Sequence, residues 1–406
     1  MKKIFEDKIY PLLGKLRNVK EAKEFEEKFR ITASFYIEDK VSEGSMIEGE
    51  FEDIKIKGKV DFLSEDIAGI SIYEADEKIK KKVLEKLKEM EKDLNLDEKM
   101  MLCNNLCEIG TKEAIDILFS FLNSDNKGLQ ENAIINLSKI GNDYVVENCI
   151  RILQKEDATK RSMAFEILQE MLKEKKELKT IATYLKSDDT NLRIFLTDLL
   201  QYAGKEAVPF LLQQLRDTHP NVRCAAIHGL LNCEEEKVEE WLKERLMEEQ
   251  DNWVISALIE ALMQKGTYKS VNILMSKYDE LEDIQRMIYT AILEIIQKED
   301  LSQIDPVEKK RLARVLINIL EDENFDIWHK YRAVEQIGKL RIKEALKHVL
   351  KLVKRPSIPL QIAGLRTIGI IGDKDTVKEI IDFKESPDAE VRKIAMEVIK
   401  RLESKE

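Results

Sequence analysis

Apolar positions along most of this chain follow a helical period, and the helical pattern itself recurs. From Lys99 to the C-terminus one cassette returns about every 31 to 34 residues. Its clearest copy reads Leu129-Gln130-x-x-Ala133-x-x-x-Leu137-x-x-Ile140-Gly141. It returns as Val222-Arg223-x-x-Ala226-x-x-x-Leu230 and as Val391-Arg392-x-x-Ala395-x-x-x-Ile399. Apolar residues four apart share one helix face, so each cassette predicts a helix with a single buried stripe. A period of this length predicts a helical hairpin per unit, none of which buries its apolar face without its neighbours.

Aligned on the residue that opens the second helix of each hairpin, the anchors are Lys99, Gln130, Arg161, Arg193, Arg223, Ile255, Arg286, Ile327, Gln361 and Arg392. Six copies have glycine eleven residues later, at Gly110, Gly141, Gly204, Gly266, Gly338 and Gly372. A left-handed helix stop is expected there, because a Cβ is disfavoured in that conformation. Polar turns such as Asn123-Ser124-Asp125-Asn126, Ser187-Asp188-Asp189-Thr190 and Asp217-Thr218-His219-Pro220 separate the two helices of a unit and supply N-caps. One spacing departs: Arg286 to Ile327 is 41 residues. The excess falls in 297–310, where a longer loop or extra turn is expected.

These phrases resemble the HEAT-repeat family, in particular its short bacterial and archaeal members of the phycobilin-lyase type. The Asp-rich turn, the Val/Leu-Arg opening, the small residue three positions on, the Leu seven on and the Ile-Gly ending all match. The resemblance covers about residues 80–406. It implies a right-handed α-solenoid of about ten hairpins. It also implies a buried Asp–Arg ladder, here Asp217 with Arg223 and Asp388 with Arg392, broken where Gln130, Ile255, Ile327 and Gln361 replace arginine.

The first 75 residues follow another period. Glu21 to Phe29 reads as a short charged helix. Ile31, Ala33, Phe35 and Ile37 alternate with polar neighbours, and Ile54, Ile56 and Val60 alternate with Lys55, Lys57 and Lys59. Glu48, Glu50 and Glu52 offer an opposite charge, and Ile70 and Ile72 close the set. Period-two alternation in four runs predicts a small antiparallel sheet or partial barrel with cross-strand Glu–Lys pairs. The expected organisation is therefore a small α+β domain over 1–75, capping a mostly α solenoid over 76–406 that starts with a helix from Asp76 to Leu94.

Charge narrows the choice of partner. Residues 1–90 carry −2, residues 91–300 carry −13 and residues 301–406 carry +4, for −11 overall. A polyanionic middle repels nucleic acid and anionic membrane, so neither is expected as a partner. The N-terminal MKKIFEDKIYPLL lacks a signal-peptide h-region, and no 18-residue apolar run exists. With five cysteines, an odd number, a cytoplasmic protein with reduced thiols is expected.

Catalytic signatures are sparse. The four histidines form no HExxH, and no P-loop, GxGxxG or GxSxG is present. Cys103 and Cys107 lie one turn apart without further ligands nearby and read as core thiols. No cofactor or metal is expected. Two alternatives stay open. One is a HEAT-like enzyme of the lyase or DNA glycosylase type, for which Trp241, Trp253, Trp328 and Asp251 are available. The other is a regulator whose N-terminal sheet senses a ligand. The sheet is similar to a PilZ domain in size and alternation but lacks its paired-arginine RxxxR motif.

The second helices are expected to line the concave face, with the residue five after each anchor pointing outward. That row is Asn104, Ile135, Glu166, Asp198, His228, Glu260, Ala291, Arg332, Arg366 and Glu397. Phe195 and Tyr202 flank Asp198, and Trp328 flanks Arg332. Aromatics beside charge suit protein recognition. The sequence thus predicts a non-catalytic scaffold binding a partner protein with a basic or mixed-charge segment through Glu166, Phe195, Asp198, Tyr202, His228, Glu260, Trp328, Arg332 and Arg366.

Overall fold

The computed structural model describes residues 2–22, 30–155, 157–278, 284–301 and 304–404. The chain divides into two compact units, Met1–Ala207 and Val208–Glu406.

The first unit begins with seven strands: β1 (Lys2–Phe5), β2 (Lys8–Lys15), β3 (Arg17–Glu21), β4 (Arg30–Tyr36), β5 (Met46–Phe51), β6 (Ile54–Ser64) and β7 (Ile67–Tyr73). The four alternating runs are β4 to β7. Strands β2 and β3 are one strand bent at Leu16. Its first half pairs with β4 and its second half with β5, so the sheet closes into a small barrel. The β2–β4 pairing is parallel, whereas the sequence predicts an antiparallel sheet; the other pairings are antiparallel. Glu48 faces Lys57 and Glu50 faces Lys55, as the alternating charges predict, and Lys57 meets Glu48 at 3.1 Å. Leu16, Phe35, Ile47, Phe51, Ile56 and Ile70 fill the barrel, with the Phe35 and Phe51 rings 5.4 Å apart. At the bend a Cβ on Gly49 would stand 2.9 Å from the Leu16 side chain, so glycine lets the strands close. Of the expected helix Glu21–Phe29, Glu21 ends β3 and residues 23–29 lie outside the described residues.

Among the described residues, twenty α-helices follow. The first helices of the hairpins are α1 (Glu77–Glu91), α3 (Lys112–Phe121), α5 (Asp143–Lys155), α7 (Leu178–Thr183), α9 (Val208–Gln214), α11 (Val238–Glu248), α13 (Val271–Tyr278), α15 (Pro306–Glu321), α17 (Leu346–Val353) and α19 (Val377–Ile380). The second helices are α2 (Leu96–Ile109), α4 (Lys127–Ile140), α6 (Ala158–Lys173), α8 (Thr190–Leu199), α10 (Pro220–Leu231), α12 (Asn252–Lys265), α14 (Gln285–Lys298), α16 (Ile327–Leu340), α18 (Ile358–Ile371) and α20 (Ala389–Glu403). Second helices stack on one another in order within each unit, α2 to α8 in the first and α10 to α20 in the second. The architecture is mostly α, ten helical hairpins among the described residues with a small N-terminal β-rich domain. The barrel docks on α2 through Asn105, whose Oδ1 accepts from the Ile9 N–H (3.0 Å) and whose Nδ2 donates to the Ile9 carbonyl (2.9 Å) and Thr32 Oγ1 (2.7 Å).

The polar turns work as N-caps. Asn95, Asn126, Asp157, Asp189, His219, Asp251, Asp326 and Asp388 each accept from N–H groups at the start of a second helix. The anchor, four residues after the cap, reaches back to the same turn. Arg193 Nη1 donates to the Ser187 carbonyl, Arg223 Nη1 to the Asp217 and Thr218 carbonyls, and Arg392 Nη1 to the Ser386 and Pro387 carbonyls. These arginines bind main-chain carbonyls of their own turns, and Arg223 also pairs with the carboxylate of Glu249. Gln130 and Gln361 do not break the pattern: Gln130 Nε2 donates to the Ser124 carbonyl (2.7 Å) and Gln361 Nε2 to that of Arg355 (3.1 Å). A carboxamide and a guanidinium both supply the N–H that a carbonyl needs.

Two anchors shift. By distance from helix start and end, the anchor of α14 is Ile288 and that of α16 is Lys330. The sequence period alone puts them at Arg286 and Ile327. The shift explains Gly338, which lies inside α16, while Arg341 takes the left-handed stop at φ 50°. Gly110, Gly141 and Gly204 have positive φ as expected. Gly266 and Gly372 are extended instead. The long spacing remains: α14 ends at Lys298 and the 16-residue α15 begins at Pro306.

Candidate functional site

The second helices bury one stripe and leave another in solvent. Glu166 on α6 is exposed, as are His228 on α10, Glu260 on α12 and Arg366 on α18; Asp198 on α8 is half-buried. Ile135 on α4, 51% exposed, belongs to the same row. Ala291 does not: it is fully buried, and so is Leu293, five residues after the shifted anchor Ile288.

In the first unit, Tyr202 meets Phe165 of α6 edge-on at 6.5 Å, and Lys173 Nζ lies 5.8 Å from the Tyr202 ring centroid. Phe195 is half-buried on α8. Gln201 Nε2 donates to Asp198 Oδ1 at 3.1 Å, which orients that carboxylate. Glu166, Phe195, Asp198 and Tyr202 therefore lie on neighbouring second-helix layers of one unit.

In the second unit, Trp328 is 65% exposed and packs edge-on against Tyr331 at 5.9 Å. Asp326, the cap of that helix, accepts from the main-chain N–H and ring of His329 and the N–H of Trp328; these bonds hold its carboxyl at about 2. Arg332 is ion-paired within the array. It binds Glu294 (2.9 Å) and Gln297 (2.6 Å) on α14 and so ties two layers together. Arg366 keeps a longer contact with Glu390 of α20, at 3.6 Å.

The row misses Trp253, which is 69% exposed. A signal existed: Asp251-Asn252-Trp253 and Asp326-Ile327-Trp328 place tryptophan second in a helix behind an aspartate cap. Asp251 caps α12 by accepting from the Trp253 and Val254 N–H groups, a structural task for the acid that the glycosylase alternative would use.

The remaining nucleophiles and ligands have structural surroundings. Burial pushes the Cys103 thiol up to about 12 and Cys224 to about 11, and it raises Cys107, Cys149 and Cys233 as well. Such thiols are poor nucleophiles. His219 caps α10, and His348 Nδ1 lies 2.8 Å from Glu321. Among the described residues, no three His, Cys, Asp or Glu side chains are grouped to hold a metal, and no helix is long and apolar enough to cross a membrane.

No curated protein matches this sequence. Among solved structures, the chain is similar in fold to the Kap95p–RanGDP complex (13% identity, TM-score 0.46, covering 75% of this chain and 49% of that one). It is also similar to a homology model of the full-length AP-3 complex (14%, 0.46, covering 73% and 59%). A third likeness is to the CpcE–CpcF complex of phycocyanin lyase from Nostoc sp. PCC7120 (16%, 0.29, covering 63% and 94%). The chain thus spans about half the length of the first of these. The model of HEAT repeats matches residues 177–263, 208–292 and 313–400, together half of the sequence. With those matches over its helical hairpins, the chain belongs to the HEAT-repeat family.

Proposed function

We propose that this protein is a non-catalytic scaffold that binds a partner protein through the exposed faces of its second helices. The observation that carries the reading is the large apolar surface left open there: Ile135, Trp253 and Trp328 are each more than half exposed on helices whose other faces are packed. Tryptophan at a surface supports recognition, because it removes much apolar area from water on binding while losing little side-chain freedom. Glu166, Asp198 and Glu260 add negative charge to these faces, which suits a basic or mixed-charge segment of the partner.

The test uses the full chain as bait in its source lysate, followed by purified binding with the protein retained. Trp253→Ala and Trp328→Ala should each weaken that binding at least tenfold without lowering Tm. Glu166→Lys, Asp198→Lys and Glu260→Lys together should weaken it further and change its salt dependence. Unchanged affinity in all of these variants would move the site off the second helices.

A further inference from the structure

A second surface lies on the first helices of the second unit. Helix α15 has 16 residues, whereas the next layer has a 3-residue turn, Lys343–Ala345, and the 8 residues of α17. A cleft of about 590 Å³ lies between α15 and that turn. Its floor is apolar, formed by Pro306, Ala313 and Ile317. Its rim carries Lys309, Lys310 and Arg314, with Glu344 opposite. Among the described residues, no carboxylate lies within ion-pair distance of Lys309, Lys310 or Arg314. Two nearby cations on this unit are engaged, Arg311 with Glu308 and Arg355 with Glu323.

We propose that this cleft is a docking site for an acidic peptide segment of a partner protein, with an apolar side chain seated on Ala313 and Ile317 and carboxylates facing Lys309, Lys310 and Arg314. The cleft volume is of the size that holds a few residues or a small ligand. Charge complementarity selects an anion. Three cations within one and a half turns of one helix, with a carboxylate on the far rim, span too short a track for a nucleic-acid backbone. The apolar floor has no counterpart in a phosphate backbone. This surface is separate from the second-helix faces and stands whether or not those faces bind a partner.

The probe is a fluorescein-labelled dodecapeptide of alternating Asp and Glu with leucine at every fourth position, titrated by anisotropy against the full chain. Saturable binding that weakens with salt is expected. Lys309→Glu, Lys310→Glu and Arg314→Glu together should weaken it at least about tenfold, with Tm unchanged because all three side chains lie at the surface. Lys309→Arg with Lys310→Arg should retain it. A leucine-free peptide of equal charge should bind several-fold more weakly. The proposal is overturned by absence of saturable binding, by equal binding to the triple variant, by equal binding of the leucine-free peptide, or by a dodecathymidylate that binds as tightly. Glu166→Lys with Asp198→Lys should leave this binding unchanged, which separates it from the second-helix reading.

Discussion

Arg223 and Glu249 form a buried bidentate ion pair, with Nε to Oε2 and Nη2 to Oε1 both at 2.9 Å and each residue less than a tenth exposed. The pair ties α10 to the turn that follows α11. Glu249 also accepts from Arg245 (2.6 Å) and from the N–H groups of Gln250 and Asp251 (both 3.0 Å). Arg223 spends its remaining donors on the carbonyls of its own turn. One guanidinium thus closes a turn within a repeat and a contact to the next one. Buried charges are tolerated only when paired and hydrogen-bonded in this way.

Acid should strip this contact. Burial alone raises the Glu249 pKa, but bonds from Arg223, the Asp251 N–H, Arg245 and the Gln250 N–H override it and hold the group at about 2, against 4.5 ordinarily. A depressed folded-state pKa contributes stability above the unfolded value and loses it as pH falls through the folded one. The contribution is therefore full above about pH 4.5, declines to pH 2, and is on the order of 3 kcal/mol. Urea denaturation at pH 7 and at pH 2.5 should show the loss. Glu249→Gln should cost about 3–5 kcal/mol at pH 7, because Arg223 is left without its counter-charge. Its further loss on acidification should be smaller by the Glu249 share.

Glutamine at the anchor should be exchangeable with arginine but not with an apolar residue. Gln130→Leu removes the donor to the Ser124 carbonyl and should cost about 1 kcal/mol. Gln130→Arg should stay within about 0.5 kcal/mol of the parent, since arginine already makes this contact at positions 193, 223 and 392. Chemical denaturation of the two variants side by side gives the comparison. Equal losses in both would mean that Gln130 acts through packing and not through its amide.

The hairpins were legible in the sequence because their signals are local: a cap, an apolar stripe and a stop within one helix. What depended on neighbouring layers was not. The anchor of α16 is read as Ile327 because Gly338 mimics a helix stop. Only the packed helix shows that Lys330 is buried and that Arg341 makes the turn. Arg332 looks like a free surface cation until α14 brings Glu294 and Gln297 against it. The strands with period-two alternation were readable. Strands β1 to β3 were not, because the Pro11, Gly14 and Leu16 of a strand shared between two partners erase the alternation. Trp253 and Trp328 share a sequence phrase, but exposure is a property of the surrounding layers.

Asn105 should be the main polar fastener between the barrel and α2. Its amide satisfies both main-chain groups of Ile9 and the hydroxyl of Thr32 in a buried site. Asn105→Ala leaves the Ile9 N–H unpaired, while the Ile9 carbonyl keeps the Thr32 hydroxyl (3.0 Å), and should cost about 1–3 kcal/mol. Amide exchange should localise the effect, with the Ile9 N–H losing protection while amides of α18 and α20 keep theirs. Uniform loss across the chain would instead show that the barrel and all ten hairpins unfold as one cooperative block.

Lys330 should make the protein less stable at neutral pH than its packing allows. It occupies the anchor position of α16, where other repeats place a donor that reaches the preceding turn. Its amino group, 2% exposed with the residue, has no hydrogen-bond partner. Burial lowers its pKa from 10.5, and the nearby Arg355 lowers it further. The folded state therefore resists the charge that the unfolded chain carries freely. The penalty is present below the lowered folded-state pKa and fades as pH rises toward 10.5, so this group makes stability rise with pH across that window. Lys330→Met removes the buried charge at similar length and should raise stability at pH 7 by about 1–3 kcal/mol while flattening the alkaline rise. Lys330→Arg tests the geometric half of the argument. A guanidinium can reach the carbonyls of the turn at 322–324 as Arg223 reaches those of Asp217 and Thr218, and should also stabilise. If Lys330→Met were destabilising at pH 7, the amino group would have to be paid for by a contact to water or to a bound ion, and the anchor of this repeat would have to be assigned a role other than closing its own turn.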